Sequence, residues 1–251
     1  MGSTFPSMCK LFTIAQEVGM MYFVPSDTPL KDRVPLSFAE AKYQKLLSWM
    51  DTLKSDMARE QNSPDHLVMF HMWFHSLTID IFRPFVQDEN DQRLGSFAST
   101  DGTPKSIFTT SVKHLKRLAL NYNSRQASNP ISPFINTSLL HIANVVIKDT
   151  CDVDRRFYII MCARYWQELY VGYPMILRIA QGLLPLAMTH NLLSSEETAY
   201  LLEEMRSRGK HHEMDDREIV CNVIGDYELA MDDDKGAHME ALAQKFKAMG
   251  W

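Results

Sequence analysis

Apolar residues recur at helical spacing along most of the chain. Leu11, Ile14, Ala15 and Val18 predict a helix over 8–23, ended by Pro25 and the polar loop Ser26-Asp27-Thr28-Pro29. Ser37 with Glu40 three residues on reads as a capping box opening a second helix. Its core stripe is Tyr43, Leu46, Leu47, Met50, Leu53 and Met57, opposite Lys42, Lys45, Asp51 and Lys54, as in a one-sided surface helix. The stretch 67–82 is different. It is apolar nearly all round, which predicts a helix covered on every side and ended by Arg83-Pro84.

A polar stretch over 87–103, rich in Asp, Ser and Gly, predicts a mobile loop. Helical patterns resume over 104–122, 133–148 and 155–170. Pro174 reads as the first-turn proline of a second all-round apolar helix over 175–188, with Pro185 kinking it. Ser194 and Glu197 form another capping box, opening a helix through Met205 that Gly209 closes. The stretch 210–217 reads as a charged loop, 218–231 as helix or strand, and 237–249 as a short last helix. The expectation is all-α: an irregular multi-helix bundle of about eight to ten helices, forming one domain over 1–251.

Composition sharpens that picture. Only 10 glycines and 11 prolines in 251 residues favour long regular elements over a many-stranded sandwich or barrel. Net charge is −5, without the basic excess of a chain that grips DNA phosphates. The charge is uneven: 194–251 holds 14 acidic and 7 basic residues, net −7, leaving 17 acidic and 19 basic, net +2, in the remainder. The acidic tail is therefore a candidate contact for basic partners, centred on Asp232, Asp233 and Asp234. The four cysteines, Cys9, Cys151, Cys162 and Cys221, form no C-x-x-C pair and read as buried thiols in a reducing compartment. Neither a signal peptide, an N-myristoylation site nor a transmembrane segment is expected.

Candidate chemistry is sparse. His71 and His75 have a metal-ligand spacing, but Met72 stands where a metalloprotease carries its Glu. They read as core histidines, ahead of a ligand pocket and then a metal site. The Asp232–Asp234 run reads as a solvated turn ahead of a magnesium-diphosphate site, since no second acidic cluster matches it. Lys113, Lys116 and Arg117 fit one solvated helix face better than a nucleic-acid or membrane surface. The chain lacks the G-x-S-x-G, G-x-x-x-x-G-K-[ST] and G-x-G-x-x-G motifs.

Several runs resemble, in order, stretches of fungal zinc-cluster activators related to the nitrate-assimilation regulator. They are Leu36-Ser-Phe-Ala-Glu-Ala-Lys-Tyr-Gln-Lys-Leu-Leu-Ser-Trp49, Ser63-Pro-Asp-His-Leu-Val-Met-Phe-His-Met-Trp-Phe-His75 and Ile79-Asp-Ile-Phe-Arg-Pro-Phe85. Further along come Ser111-Val-Lys-His-Leu-Lys-Arg-Leu118, Arg155-Arg-Phe-Tyr158, Ala180-Gln-Gly-Leu-Leu184, Leu201-Leu-Glu-Glu204 and Asp226-Tyr-Glu-Leu-Ala230. The resemblance implies the non-catalytic helical middle-homology region of such a factor, which restrains or transmits activation. The family's six-cysteine zinc cluster and its coiled coil are not matched, so zinc and direct DNA binding are not expected of these residues. The implied partners are transcriptional co-regulators or a related factor, and the implied address is the nucleus. No membrane partner is expected and the oligomeric state is open.

The leading expectation is thus a regulatory module acting by protein contact, with effector sensing as a further role, and not an enzyme. Two alternatives stand beside it. One is a small-molecule-binding module with an effector pocket near Trp73, His75 and Trp166. The other is an all-helical enzyme, which would need convergent polar groups of perturbed pKa in one cleft.

Overall fold

The computed structural model describes residues 4–23, 28–53, 63–86, 93–97, 102–125, 131–209 and 223–249. Among them the fold is all-α. Nine helices of ten or more residues and two single-turn helices account for nearly all regular structure, and the lone β feature is an isolated bridge between Ile224 and His238. No described helix is long and apolar enough to cross a membrane. The chain divides into two compact units, Met1–Ser128 and Asn129–Trp251. The sequence offered no boundary there, and each unit is described by itself.

In the first unit, α1 (Thr4–Tyr22), α2 (Leu30–Arg33) and α3 (Leu36–Asp51) precede α4 (Asp65–Phe82), a 3-10 turn (Arg83–Phe85) and α5 (Pro104–Arg125). The all-round apolar helix takes the centre: α4 packs on α5, α3 and α1, and 13 of its 18 residues are buried. Trp49 of α3 sets its ring 5.0 Å from Phe70 and donates its indole N–H to the Ser7 carbonyl at 3.1 Å. The buried Tyr22 hydroxyl donates to the Ile81 carbonyl at 2.6 Å, and burial pushes its phenol pKa up. Glu17 of α1 is clamped by Lys42 and Lys45 of α3, and these two hydrogen bonds hold its carboxyl down to about 2.

Two expectations for α3 are corrected. The helix starts at Leu36 behind Pro35 with no side-chain cap, so Ser37 lies inside it. Glu40 instead accepts the Ser96 N–H at 2.5 Å: a contact 56 residues away has displaced the local box. The buried face centres on Ala39, Leu46 and Trp49, and Tyr43, Leu47 and Met50 flank it half-buried. Met57 lies outside the described residues. Of the loop expected over 87–103, residues 87–92 and 98–101 also lie outside them. Leu94 is buried, and its N–H meets the Gly102 carbonyl at 3.0 Å.

In the second unit, a 3-10 turn (Pro133–Ile135) leads into α6 (Asn136–Lys148), followed by α7 (Arg155–Tyr170), α8 (Ile176–Thr189) and α9 (Ser195–Arg208). A 3-10 turn (Leu229–Met231), α10 (Asp234–Ala237) and α11 (Met239–Ala248) complete it. The second all-round apolar segment is again central: α8 packs on α11, α7, α9 and α6, and runs on past Pro185. A Cβ at Gly182 would collide with the Met239 sulfur, so a glycine lets α8 and α11 approach closely. Asn191, at φ 58°, takes the left-handed position after α8 while Leu192 N–H reaches back to the Ala187 carbonyl at 3.0 Å. The expectation of buried thiols holds only in part. Cys162 is buried, whereas Cys9 on the outer face of α1 and Cys151 in a turn are exposed. Cys221 and the loop 210–217 lie outside the described residues.

Candidate functional site

The predicted capping box at Ser194 forms and sets the start of α9. The Ser194 hydroxyl accepts the Glu197 N–H at 3.1 Å, and the Glu197 carboxylate accepts the Ser194 N–H at 2.8 Å. The same carboxylate reaches across to Arg156 of α7, at 2.5 Å and 3.1 Å to the two guanidinium nitrogens. Arg156 first, then the Ser194 N–H, holds the Glu197 carboxyl down to about 2. The box thus fixes α9 against α7 as well as ending its own exposed backbone.

Below it the facing sides of α7 and α9 form an open cleft of about 690 Å³. Residues a turn apart share a face, so α7 contributes Ile160, Arg164 and Glu168 with Gln167 beside them. From α9 come Glu196, Tyr200, Leu201, Glu204 and Arg208. Arg208 ties α9 to α7, 2.5 Å from Glu168 and 2.9 Å from Glu204. The buried Gln167 amide donates to Glu204 at 3.0 Å. These pairs hold a fixed lattice of charge. Within it Arg164 and Glu196 make no ion pair among the described residues, and Tyr200 is 65% exposed.

The residues singled out from the sequence are placed otherwise. Trp73 and His75 lie on α4 of the first unit: Trp73 packs 5.1 Å from Phe12, and His75 stacks on His114 at 5.0 Å with the rings 9° apart. His71 is buried on the same helix. Trp166 belongs to the second unit, is fully buried, and donates its indole N–H to the Asn136 side-chain carbonyl at 3.1 Å. Asp233 caps α10 by accepting the Gly236 N–H at 2.9 Å, and Asp234 lies 3.9 Å from His238, so the acidic run forms a turn and helix start. Lys113 and Arg117 are exposed on α5, opposite buried Leu115, Leu118 and Tyr122, as a solvated face requires. Among the described residues no group of three or more His, Cys, Asp or Glu side chains is placed to hold a metal ion.

Sequence reasoning missed the cleft and a second polar cluster. Asp226 folds the ambiguous stretch after residue 222 by accepting the N–H groups of Glu228 and Leu229, both at 3.1 Å, while its other oxygen takes Lys148 of α6 at 3.2 Å. Asn144, one turn earlier on α6, accepts the Tyr227 N–H at 2.9 Å. These side-chain bonds add to the backbone bonds that tie the segment to 237–239, Gly225 N–H to the Ala237 carbonyl at 2.7 Å and Met239 N–H to the Val223 carbonyl at 2.8 Å. Comparison with family models, with curated proteins and with solved structures gives no match.

Proposed function

We propose that this chain is a regulatory module that works by protein contact, with the α7–α9 cleft as its contact face. The observation that carries this reading is the state of the cleft's polar groups. Glu168, Glu197 and Glu204 are all committed to arginines, while the aromatic Tyr200 is exposed and Arg164, also exposed, has no ion-pair partner among the described residues. Tyr and Arg are the residue types that most often anchor a protein interface, and a rim of fixed charges around them supplies specificity. A carboxyl held near 2, as at Glu197, is a poor proton donor at neutral pH, so the cleft is better suited to recognition than to acid catalysis.

The transcriptional part of the proposal, including the nuclear address and co-regulator partners, is supported by the resemblance to fungal zinc-cluster activators set out above. The test is a tethering assay. Residues 1–251 are fused to an unrelated DNA-binding domain, and reporter output is compared with that domain alone. The expected result is a change in output that the paired substitution Arg164→Glu with Tyr200→Ala removes, while the helical circular dichroism and melting of the variant are retained. Output equal to the DNA-binding domain alone, or unchanged by the paired substitution, would overturn the reading.

A further inference from the structure

A surface helix buries one apolar face and normally turns charge to the solvent on the other. Helix α1 departs from this. Its buried face is Leu11, Ile14, Val18 and Tyr22. Its outer face exposes Phe5 (66%), Phe12 (47%) and Met20 (66%), and Phe23, just after the helix, is exposed as well. Cys9 and Gln16 fill the gaps between them, exposed, with Met8 and Gly19 half-buried beside them. The helix carries two charges. Glu17 is drawn to Lys42 and Lys45 on the α3 side, and Lys10 lies roughly 140° around the axis from Phe5 at 3.6 residues per turn. No charged residue of α1 therefore lies on the outer stripe, and the described cation against it is the buried Arg83, whose guanidinium stands 5.8 Å from the Phe23 ring.

The order of residues in the stripe is informative. Phe5, Cys9, Phe12, Gln16, Gly19 and Phe23 step by four and three alternately, the spacing of a seam between two helices. The stripe is also close to palindromic about residue 14. Reversing the chain direction sets Phe5 against Phe23, Met8 against Met20, Cys9 against Gly19 and Phe12 against Gln16. Large residues meet large ones at the ends, and the smallest pair, Cys9 with Gly19, leaves the backbones room to approach. A twofold axis requires one patch to complement itself, and this patch does so without bringing like charges together.

We propose that the outer face of α1 is a homodimer interface in which a second copy of this chain packs antiparallel on the stripe. The three phenylalanines and Met20 expose on the order of 400 Å² of apolar side chain, taking 150–250 Å² for a whole aromatic side chain. Two such patches bury on the order of 800 Å² in all, short of the roughly 1,200–2,000 Å² of stable specific interfaces, so the dimer is a weak, transient one that forms in the high micromolar range or more weakly.

Sedimentation equilibrium of the full chain tests this, with loadings from a few to several hundred micromolar. The expected mass rises from 28.9 kDa toward twice that value. Phe12→Glu and Met20→Glu, each checked for retained helicity, weaken association at least tenfold, whereas Val153→Glu, 93% exposed in the turn before α7, leaves it unchanged. Register is read by oxidative cross-linking with diamide. The Gly19→Cys variant, where a Cβ meets nothing nearer than Phe23 at 3.8 Å, gives an interchain disulfide through Cys9 that the unmodified chain does not. A monomer at every loading, association indifferent to both α1 charges, or equal cross-linking of the unmodified chain would each overturn the proposal. So would a monomer that sediments instead with phosphatidylcholine vesicles, since the stripe's occupant would then be lipid.

Discussion

Replacing Trp166 by alanine tests whether this residue belongs to the core or to a ligand pocket. Trp166 is fully buried in the second unit, and its indole N–H is bonded to Asn136. Truncating a buried tryptophan to alanine costs about 3–5 kcal/mol, the lost transfer energy and the residual cavity together. Of this, about 1 kcal/mol is the hydrogen bond. A domain is stable by only about 5–15 kcal/mol, so the substitution removes a large fraction of the total. For a unit of this size the melting temperature falls by roughly 10–20 °C. Trp166→Phe keeps most of the ring and loses the bond, and is expected to cost about 1–2 kcal/mol. Urea unfolding followed by circular dichroism at 222 nm measures both. Adding Asn136→Ala to each background isolates the bond as a coupling of about 1 kcal/mol. If Trp166→Ala unfolds within about 0.5 kcal/mol of the unmodified chain, as surface substitutions do, the packing argument for the second unit is refuted.

Ser194→Ala removes the hydroxyl that accepts the Glu197 N–H and should destabilise the second unit by about 1 kcal/mol, read from the same urea curves. The Glu197 carboxyl is held down to about 2, below its usual value near 4.5, so its contribution is fully present above pH 4.5 and is lost as pH falls through 2. Melting between pH 5 and pH 2 should therefore decline less in Glu197→Gln than in the unmodified chain. Asp226→Ala removes the acceptor for two backbone N–H groups and one partner of Lys148, and should cost about 1.5–3 kcal/mol, with faster amide exchange at Glu228 and Leu229. Burial pushes the Cys162 thiol pKa up, so iodoacetamide should label Cys9 and Cys151 in the native protein and reach Cys162 only after unfolding, as peptide mass spectrometry would show.

The nine long helices were legible because each carries its period locally, whereas the single turns α2 and α10 are too short to show one. The two segments that are apolar all round became α4 and α8, the helices on which the others pack in their units. The Ser194 box was legible for the same reason: cap and partner are three residues apart, and nothing competes for the Glu197 side chain that does not also favour its ionised form. The Ser37 box failed because Glu40 found a better partner in the turn at Ser96, a contact that no local pattern encodes. The stripe through Tyr43, Leu46, Leu47 and Met50 caught the buried Leu46 but missed Trp49, because Tyr43, Leu47 and Met50 lie to one side of the face that is buried. The cleft was illegible on similar grounds. Its ties join residues about forty positions apart, Arg156 with Glu197 and Glu168 with Arg208, and neither partner looks unusual in its own helix.

The residues that carry the family resemblance now have places, and many of those places are internal. The run from Leu36 to Trp49 supplies Leu46 and Trp49 to the core, and the run from Ser63 to His75 supplies most of the first half of α4. Asp226 and Ala230, in the last run, are buried, with Asp226 folding its own segment. A likeness borne by such positions reports packing, because substitutions there are limited by volume and by buried hydrogen bonds. Arg164 and Tyr200 lie outside every one of these runs, and so does the stripe on α1. Partner choice is written in exposed side chains, which packing leaves free to vary. Exchanging Arg164 and Tyr200 should therefore redirect or abolish contact while leaving the helical body intact, whereas exchanging Leu46 or Trp166 should lower stability and reduce contact only as far as the chain unfolds. Loss of reporter output that tracks stability alone, with no separate effect of the cleft substitutions, would mean that the contact face lies elsewhere on the chain.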